Sequence, residues 1–159
     1  MTRVIPADLG DPGHAAALVD LLDEYARSPT GGGTPLSAFA RENLAAQLRA
    51  RSNIHVLLAF EGERAIGLAN CIEGFSTFAC RPLLNIHDLA VTGERRGRGV
   101  GRLLLQESER LARRLGCCKL TLEVLGGNSN AQALYRSCGY APYQLDPAAG
   151  SALLWQRLL

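Results

Sequence analysis

The stretch from Leu83 to Gly116 constrains the fold of this chain more than any other. Leu83 to Thr92 is a strand-like apolar run that passes through Arg95-Arg96-Gly97-Arg98-Gly99-Val100-Gly101-Arg102. It then enters Gly99 to Leu115, where Val100, Leu104, Leu111 and Leu115 fall on one helical face before Gly116 ends the pattern. A strand that turns into an amphipathic helix must lay that helix on a sheet, which predicts a layered α/β fold. Gly97, Gly99 and Gly101 remove side chains where a ligand could approach the backbone. The helix start behind them offers unpaired N–H groups and about half a positive charge, so the loop has the makings of a phosphate cradle. A dinucleotide fingerprint needs a third glycine where Arg102 stands, and a nucleoside-triphosphate loop needs Gly-Lys-Ser/Thr; neither fits. Taken alone, the loop also suits a plain tight connection.

Charge agrees with the cradle. Arg95, Arg96, Arg98, Arg102, Arg110, Arg113, Arg114 and Lys119 lie close together in sequence, and a basic cluster beside glycines favours a phosphate-bearing ligand. For Arg110, Arg113 and Arg114, a solvated helix face explains the pattern as well. The net charge of +2 gives no reason to expect nucleic acid as a partner. No apolar run approaches the roughly 20 residues of a membrane span, and the N-terminus lacks a signal-like apolar core, so the expectation is a cytoplasmic chain with no membrane partner. The five cysteines are odd in number and show no zinc-knuckle spacing, so free buried thiols and no metal are expected.

The remaining pattern sets the element order. Arg3 to Pro6 reads as a short strand. Pro12 to about Arg27 reads as a helix, with Leu18, Leu21 and Tyr25 on one face and Pro12 in its first turn. Residues 28 to 35, rich in glycine and proline, read as a flexible loop, and Leu36 to Arg51 as a second helix. Ile54, Val56, Leu58 and Phe60 alternate, Glu61-Gly62-Glu63-Arg64 turns, and Ala65 to Phe75 returns as the other arm of a hairpin. Beyond Gly116 come a strand through Leu120, Leu122 and Val124, a short helix from Asn128 to Cys138, and a strand pair, Tyr140 to Leu145 with Ser151 to Leu158. The expectation is one α/β domain over residues 1–159, a mixed sheet flanked by helices in the order β-α-α-β-β-β-α-β-α-β-β.

Two motifs then share one resemblance. Arg96-x-x-Gly99-x-Gly101, following the strand Ile86-His87-Asp88-Leu89-Ala90-Val91, is similar to the coenzyme A signature Gln/Arg-x-x-Gly-x-Gly/Ala. Asn128-x-x-Ala131-x-x-Leu134-Tyr135-Arg136-x-x-Gly139-Tyr140 is similar to a second signature, Asn-x-x-Ala-x-x-Leu-Tyr-x-x-x-Gly-Phe. Together, in this order, they resemble the GNAT superfamily of N-acetyltransferases over nearly the whole chain. The resemblance implies acetyl-coenzyme A as co-substrate, no metal, and a primary amine as acceptor. It implies that the backbone of Leu89, Ala90 and Val91 pairs with the pantetheine arm. The segment Arg96, Gly97, Arg98, Gly99, Val100, Gly101 and Arg102 would wrap the pyrophosphate. Asn128 and Ala131 would contact the coenzyme, and Tyr135 would stand near the sulfur. Phe75-Ser76-Thr77-Phe78 and Ile86-His87-Asp88-Leu89 look most like the diamine (spermidine/spermine-type) branch, which carries an acidic residue where His87 stands; serotonin N-acetyltransferase is similar in having a histidine there. Related enzymes are commonly homodimers, and a protein N-terminus or lysine is an alternative acceptor. A coenzyme A-binding regulatory module without catalysis is a reading of another class.

The chemistry names further candidates. An alkylammonium costs about 4–5 kcal/mol to deprotonate at neutral pH, so a base is required. His87 is the first candidate because imidazole titrates near neutrality; Asp88 is the second, and Glu73 and Glu123 follow. Simple alternation puts Asn85, His87 and Leu89 on one face of their strand and Asp88 on the other. His87 could equally be a hydrogen-bonded core residue, and Tyr135 a packed helix residue. His14 and His55 have no supporting context. Tyr135 suits protonation of a departing thiolate. Asp20, Asp23 and Glu24 cluster near the 28–36 loop, which with residues 146–150 is expected to rim the acceptor cleft; the same three residues could be a solvated helix face.

Overall fold

In a computed structural model that describes residues 1–159, the chain forms two compact units, Met1–Leu122 and Glu123–Leu159. The first holds a five-stranded sheet in the order β1-β2-β3-β4-β5. Its strands are β1 (Thr2–Pro6), β2 (Ile54–Glu61), β3 (Arg64–Ser76), β4 (Arg81–Val91) and β5 (Leu120–Leu122). The first four pair antiparallel, and β5 lies parallel to β4, so the sheet is mixed as the element order predicts.

Helices cover both faces, which is why Val56 to Phe60 on β2 are buried without a polar alternate. On one face lie α1 (Pro12–Arg27) and α2 (Ala38–Arg49): Leu18, Leu21, Leu44 and Leu48 pack with Val56, Leu58, Phe60, Leu68 and Ala90. Asp11 caps α1 by accepting the His14 N–H at 2.9 Å, with Pro12 behind it. Ser37 caps α2 through the Ala40 N–H, which starts that helix two residues later than its apolar pattern suggests. On the other face α3 (Val100–Arg114) buries Val100, Leu104, Leu105, Ser108, Leu111 and Ala112. It comes close to β3 at Gly67, where a Cβ would sit 3.2 Å from Leu104 Cδ1 of α3 and 2.9 Å from the Ala90 carbonyl of β4. The fully buried Cys71 meets Ser108 on that face at 3.6 Å, and burial pushes its thiol up to about 11. Of the five cysteines only Cys71 is buried, so the expectation of buried thiols holds at one position; Cys80 lies exposed in the turn before β4.

The second unit contains α4 (Ser129–Ser137) and a 3-10 turn at Pro147–Ala149, but not the expected final strand pair. Pro142 and Pro147 supply no N–H. Asp146 caps the turn at Ala148, and a single backbone bond, Ala152 N–H to the Tyr143 carbonyl, links the two arms. Two strands on their own are marginal, and this unit holds no sheet for them to join. The fifth strand likewise ends at Leu122 rather than at Val124. No helix is long and apolar enough to cross a membrane.

The close contact at Gly67 makes a direct test of the α3 face. Gly67→Ala should lower unfolding stability by about 1–3 kcal/mol through overpacking, read from urea denaturation. An unchanged midpoint would mean that α3 packs further from the sheet.

Candidate active site

The site begins with an irregularity in β4. Cys71 pairs with Ile86, but the preceding residue of β3, Asn70, pairs with Asp88, so His87 is an extra residue in the ladder. Such a bulge sets two residues against one and restarts the side-chain alternation beyond it. Simple alternation therefore misplaces this segment: Asp88 falls with Asn70 and Ala90 on the α1 face, and His87 is exposed rather than a core residue. Asn70 donates from Nδ2 to Asp88 Oδ2 at 2.9 Å.

At the same point β4 loses its outer neighbour. The parallel ladder to β5 runs from Leu84↔Leu120 to Ile86↔Leu122 and stops, so Leu89, Ala90 and Val91 pair with β3 alone. A strand edge with unused N–H and C=O groups is a template for another extended chain. One group there is already used, because Arg96 Nε donates to the Val91 carbonyl at 3.1 Å.

Val91 leads through a short turn at Gly93–Arg95 to the glycine loop. Gly97 and Gly99 have φ of 73° and 83°, left-handed values that favour glycine, and Gly99 is the N-cap of α3. No side chain caps this helix, and a Cβ at either glycine would meet nothing within 4 Å. The first N–H groups of α3 thus follow an exposed loop whose Arg96 and Arg98 are also exposed. Arg95 is committed elsewhere, to Glu61, with Nε at 2.9 Å from Oε2. The distal arginines form surface pairs along α3, Arg110 with Glu107, Arg113 with Glu109, and Arg114 with Glu107 at 3.4 Å. They are the solvated helix face that their spacing allowed, and such pairs contribute little.

On the α1 face the acidic cluster proves to be largely structural. Asp23 is buried, pairs with Arg27 at 2.8 Å and Arg41 at 2.7 Å, and accepts the Leu36 N–H at 2.9 Å. It is therefore not a cleft-mouth attractor, and residues 28–36 are tied down rather than loose: the Gly33 N–H reaches the Ala26 carbonyl at 2.9 Å, and Tyr25 Oη the Thr30 carbonyl at 3.4 Å. Glu24 accepts the Gly93 N–H at 3.0 Å, and Asp20 is exposed. Burial pushes the Tyr25 phenol up, and the nearby Asp88 carboxylate adds to the shift. His14 accepts the Asp8 N–H and meets the Phe60 ring in a tilted contact at 5.6 Å, a structural role. His55 faces Glu73 at 3.6 Å, further along β3 from Asn70. Asn70 and Tyr25 were missed from the sequence; an asparagine inside an otherwise apolar strand was the one available signal.

In the second unit, α4 gives the Asn-x-x-Ala and Tyr-x-x-x-Gly spacings a physical basis. The Asn128 side chain caps the helix by accepting the Ala131 N–H at 3.2 Å. At the other end Gly139, with φ 87°, donates to the Arg136 carbonyl, and Tyr140 N–H to the Tyr135 carbonyl at 3.0 Å. That pair of bonds is a Schellman motif, and its usual side-chain contact is present between the Tyr135 and Tyr140 rings, 6.0 Å apart. Glu123 stands at the start of this unit.

The bulged strand with its open edge leads directly into a helix start that no side chain caps. The chain belongs to the acetyltransferase (GNAT) family, whose model matches residues 15–140, and it is thereby an acetyl-transferring enzyme. It is 36% identical over 87 residues to streptothricin acetyltransferase of Streptomyces lavendulae, a match covering 53% of this chain and 46% of that protein. The chain thus spans less than half of that relative. It is 28% identical over 147 residues to thialysine N-epsilon-acetyltransferase of Caenorhabditis elegans, covering 87% of this chain and 89% of the relative. Among solved structures, an aminoglycoside acetyltransferase from an uncultured soil metagenomic sample, in complex with sisomicin, has the same fold, with TM-score 0.79, 18% identity, and 99% and 97% of the two chains covered.

The Asp23 cluster carries a pH prediction. Its carboxyl lies at about 2, below the ordinary 3.8, chiefly through the Arg27 hydrogen bond, against which burial acts. A depressed folded value means that its stabilisation is complete above 3.8 and is lost as pH falls toward 2. Asp23→Asn should be less stable near neutrality and should flatten the acid limb of the urea midpoint; an acid limb equal to wild type would contradict the assignment.

Proposed function

We propose that this chain transfers the acetyl group of acetyl-coenzyme A directly to a primary amine of a small molecule, a diamine or an amino acid-like compound. The observation that carries this reading is the continuity of the open β4 edge, Leu89 to Val91, with the glycine loop and the uncapped start of α3. An extended pantetheine arm can add to the edge while the pyrophosphate meets the α3 N–H groups, Gly97, Gly99 and Gly101 leaving room and Arg96, Arg98 and Arg102 adding positive charge. The family match spans both compact units, which supports reading residues 1–159 as one acetyltransferase domain. The relatives named for streptothricin, thialysine and aminoglycosides support a small amine acceptor.

In the proposed reaction the amine loses a proton to a base, its lone pair attacks the thioester carbonyl, the C–N bond forms and the C–S bond breaks. His87, exposed on the bulge, is the first candidate base and Asp88 beside it the second. Backbone N–H groups at the open edge can stabilise the oxyanion. Tyr135 is assigned protonation of the departing thiolate on the family resemblance. Asn128 and Ala131 are assigned coenzyme contacts on the same ground.

Two measurements test this reading. Acetyl-coenzyme A should raise the melting temperature of the wild type, and Gly99→Glu, which fills and charges the cradle, should abolish that rise. No coenzyme binding by calorimetry, or equal binding to a folded Gly99→Glu variant, would overturn the assignment. In a thiol-release assay with 1,4-diaminobutane, lysine and glycylglycine, the free diamine should be the best acceptor. His87→Ala should lower kcat/KM about 100-fold, the scale of a lost general base. An unchanged kcat/KM in the variant would leave the role of base to Asp88, a water chain or the substrate amine itself.

A further inference from the structure

We propose that Asn70 is a positioning residue for the acceptor site: it fixes the Asp88 carboxylate on the α1 face, beside the His87 bulge, as the anchor for the acceptor's ammonium group. The inference rests on the reading of the acceptor as an amine and assigns a recognition site to it.

Asn70 stands where the strand otherwise carries apolar residues. Leu68, Ala69 and Cys71 are fully buried, and Asn70 is 5% exposed. Only half of its amide is used: Nδ2 holds Asp88 Oδ2 at 2.9 Å, while Oδ1, also buried, has no partner. A buried amide with an unused carbonyl is less favourable than an apolar side chain of the same size. Its presence therefore brings no gain in packing, and what it does is orient a carboxylate. The same cross-strand pair marks where the bulge restarts the alternation, so the amide also sets the direction in which Asp88 points.

Asp88 itself is only partly buried and so can be reached by a ligand. Asp88 forms no ion pair, and the arginines of α1, α2 and the turn after β4 are engaged with other groups: Arg27 and Arg41 with Asp23, Arg95 with Glu61, and Arg96 with the Val91 carbonyl. On α1 the Tyr25 phenol feels its own burial and also the Asp88 charge. Tyr25 is fixed in turn by its bond to the Thr30 carbonyl, and Glu24, one residue earlier, holds the turn after β4 at Gly93. A partly exposed carboxylate held by a neutral amide and paired with no cation is a receptor for an ammonium group. Its strand neighbours Leu89 to Val91 form the open edge proposed for the coenzyme, so an amine held there lies next to the thioester.

The test combines a spectroscopic and a kinetic arm. In 15N-labelled protein saturated with coenzyme A, the Asn70 side-chain amide signals should move on titration with 1,4-diaminobutane, and the movement should be lost in Asp88→Asn. Asn70→Leu should keep or raise the melting temperature and leave coenzyme A binding unchanged. It should raise KM for 1,4-diaminobutane about tenfold, the scale of one hydrogen bond to a charged group, with a smaller change in kcat. Asn70→Ser, which retains a donor, should recover part of the loss. The proposal is overturned if the Asn70 signals stay fixed with 1,4-diaminobutane, lysine and glycylglycine alike, or if Asn70→Leu has wild-type KM. If coenzyme A itself fails to bind, the acetyltransfer reading fails first, and the two failures are thereby distinguished.

Discussion

Everything proposed for this protein depends on β4 having a sheet partner on one side along its whole length and on the other side for only three residues. Backbone N–H and C=O groups need partners, and in most sheets an inner strand finds them on both edges. Here β5 stops at Leu122, opposite Ile86, and the rest of β4 keeps a free edge just where the glycine loop begins. The bulge at His87 falls one residue beyond that stop. The end of β4 therefore offers the kind of edge the proposed extended ligand needs, re-aims the Asp88 carboxylate through its bulge, and delivers the chain to a helix start that no side chain caps.

The surrounding charges keep that place usable. Arg95 is drawn away by Glu61, the α3 arginines by Glu107 and Glu109, and Arg27 and Arg41 by Asp23. What is left exposed on the loop is Arg96 and Arg98, next to the phosphate-compatible turn. Asp88, earlier on β4, is held by the Asn70 amide and paired with no cation.

Most of the fold was legible because its signals are local. The Pro12 start of α1, the Glu61–Arg64 turn and the helix opened by Gly99 are stated by residues within a few positions of each boundary. The bulge was not legible, since a one-residue slip depends on how two strands register and not on either alone. The same holds for Asp23: its spacing resembles a solvated face, and only the arrival of Arg41 and Leu36 from later in the chain buries it. The final strand pair was misjudged from its apolar alternation, which carries no information about whether a sheet is there to accept it. The motif Asn128 to Tyr140 could be read both as a family signature and as the cap and Schellman closure of α4, because the same residues serve the helix ends.

The central claim is direct transfer of an acetyl group to an amine, and the fate of that group tests it most directly. Incubation with acetyl-coenzyme A labelled with 13C in the acetyl carbonyl, together with 1,4-diaminobutane, should move the label into an N-acetyl amide of the diamine, one thiol being released for each amide formed. Thiol release with the label found as free acetate, or retained on the protein, would contradict the account.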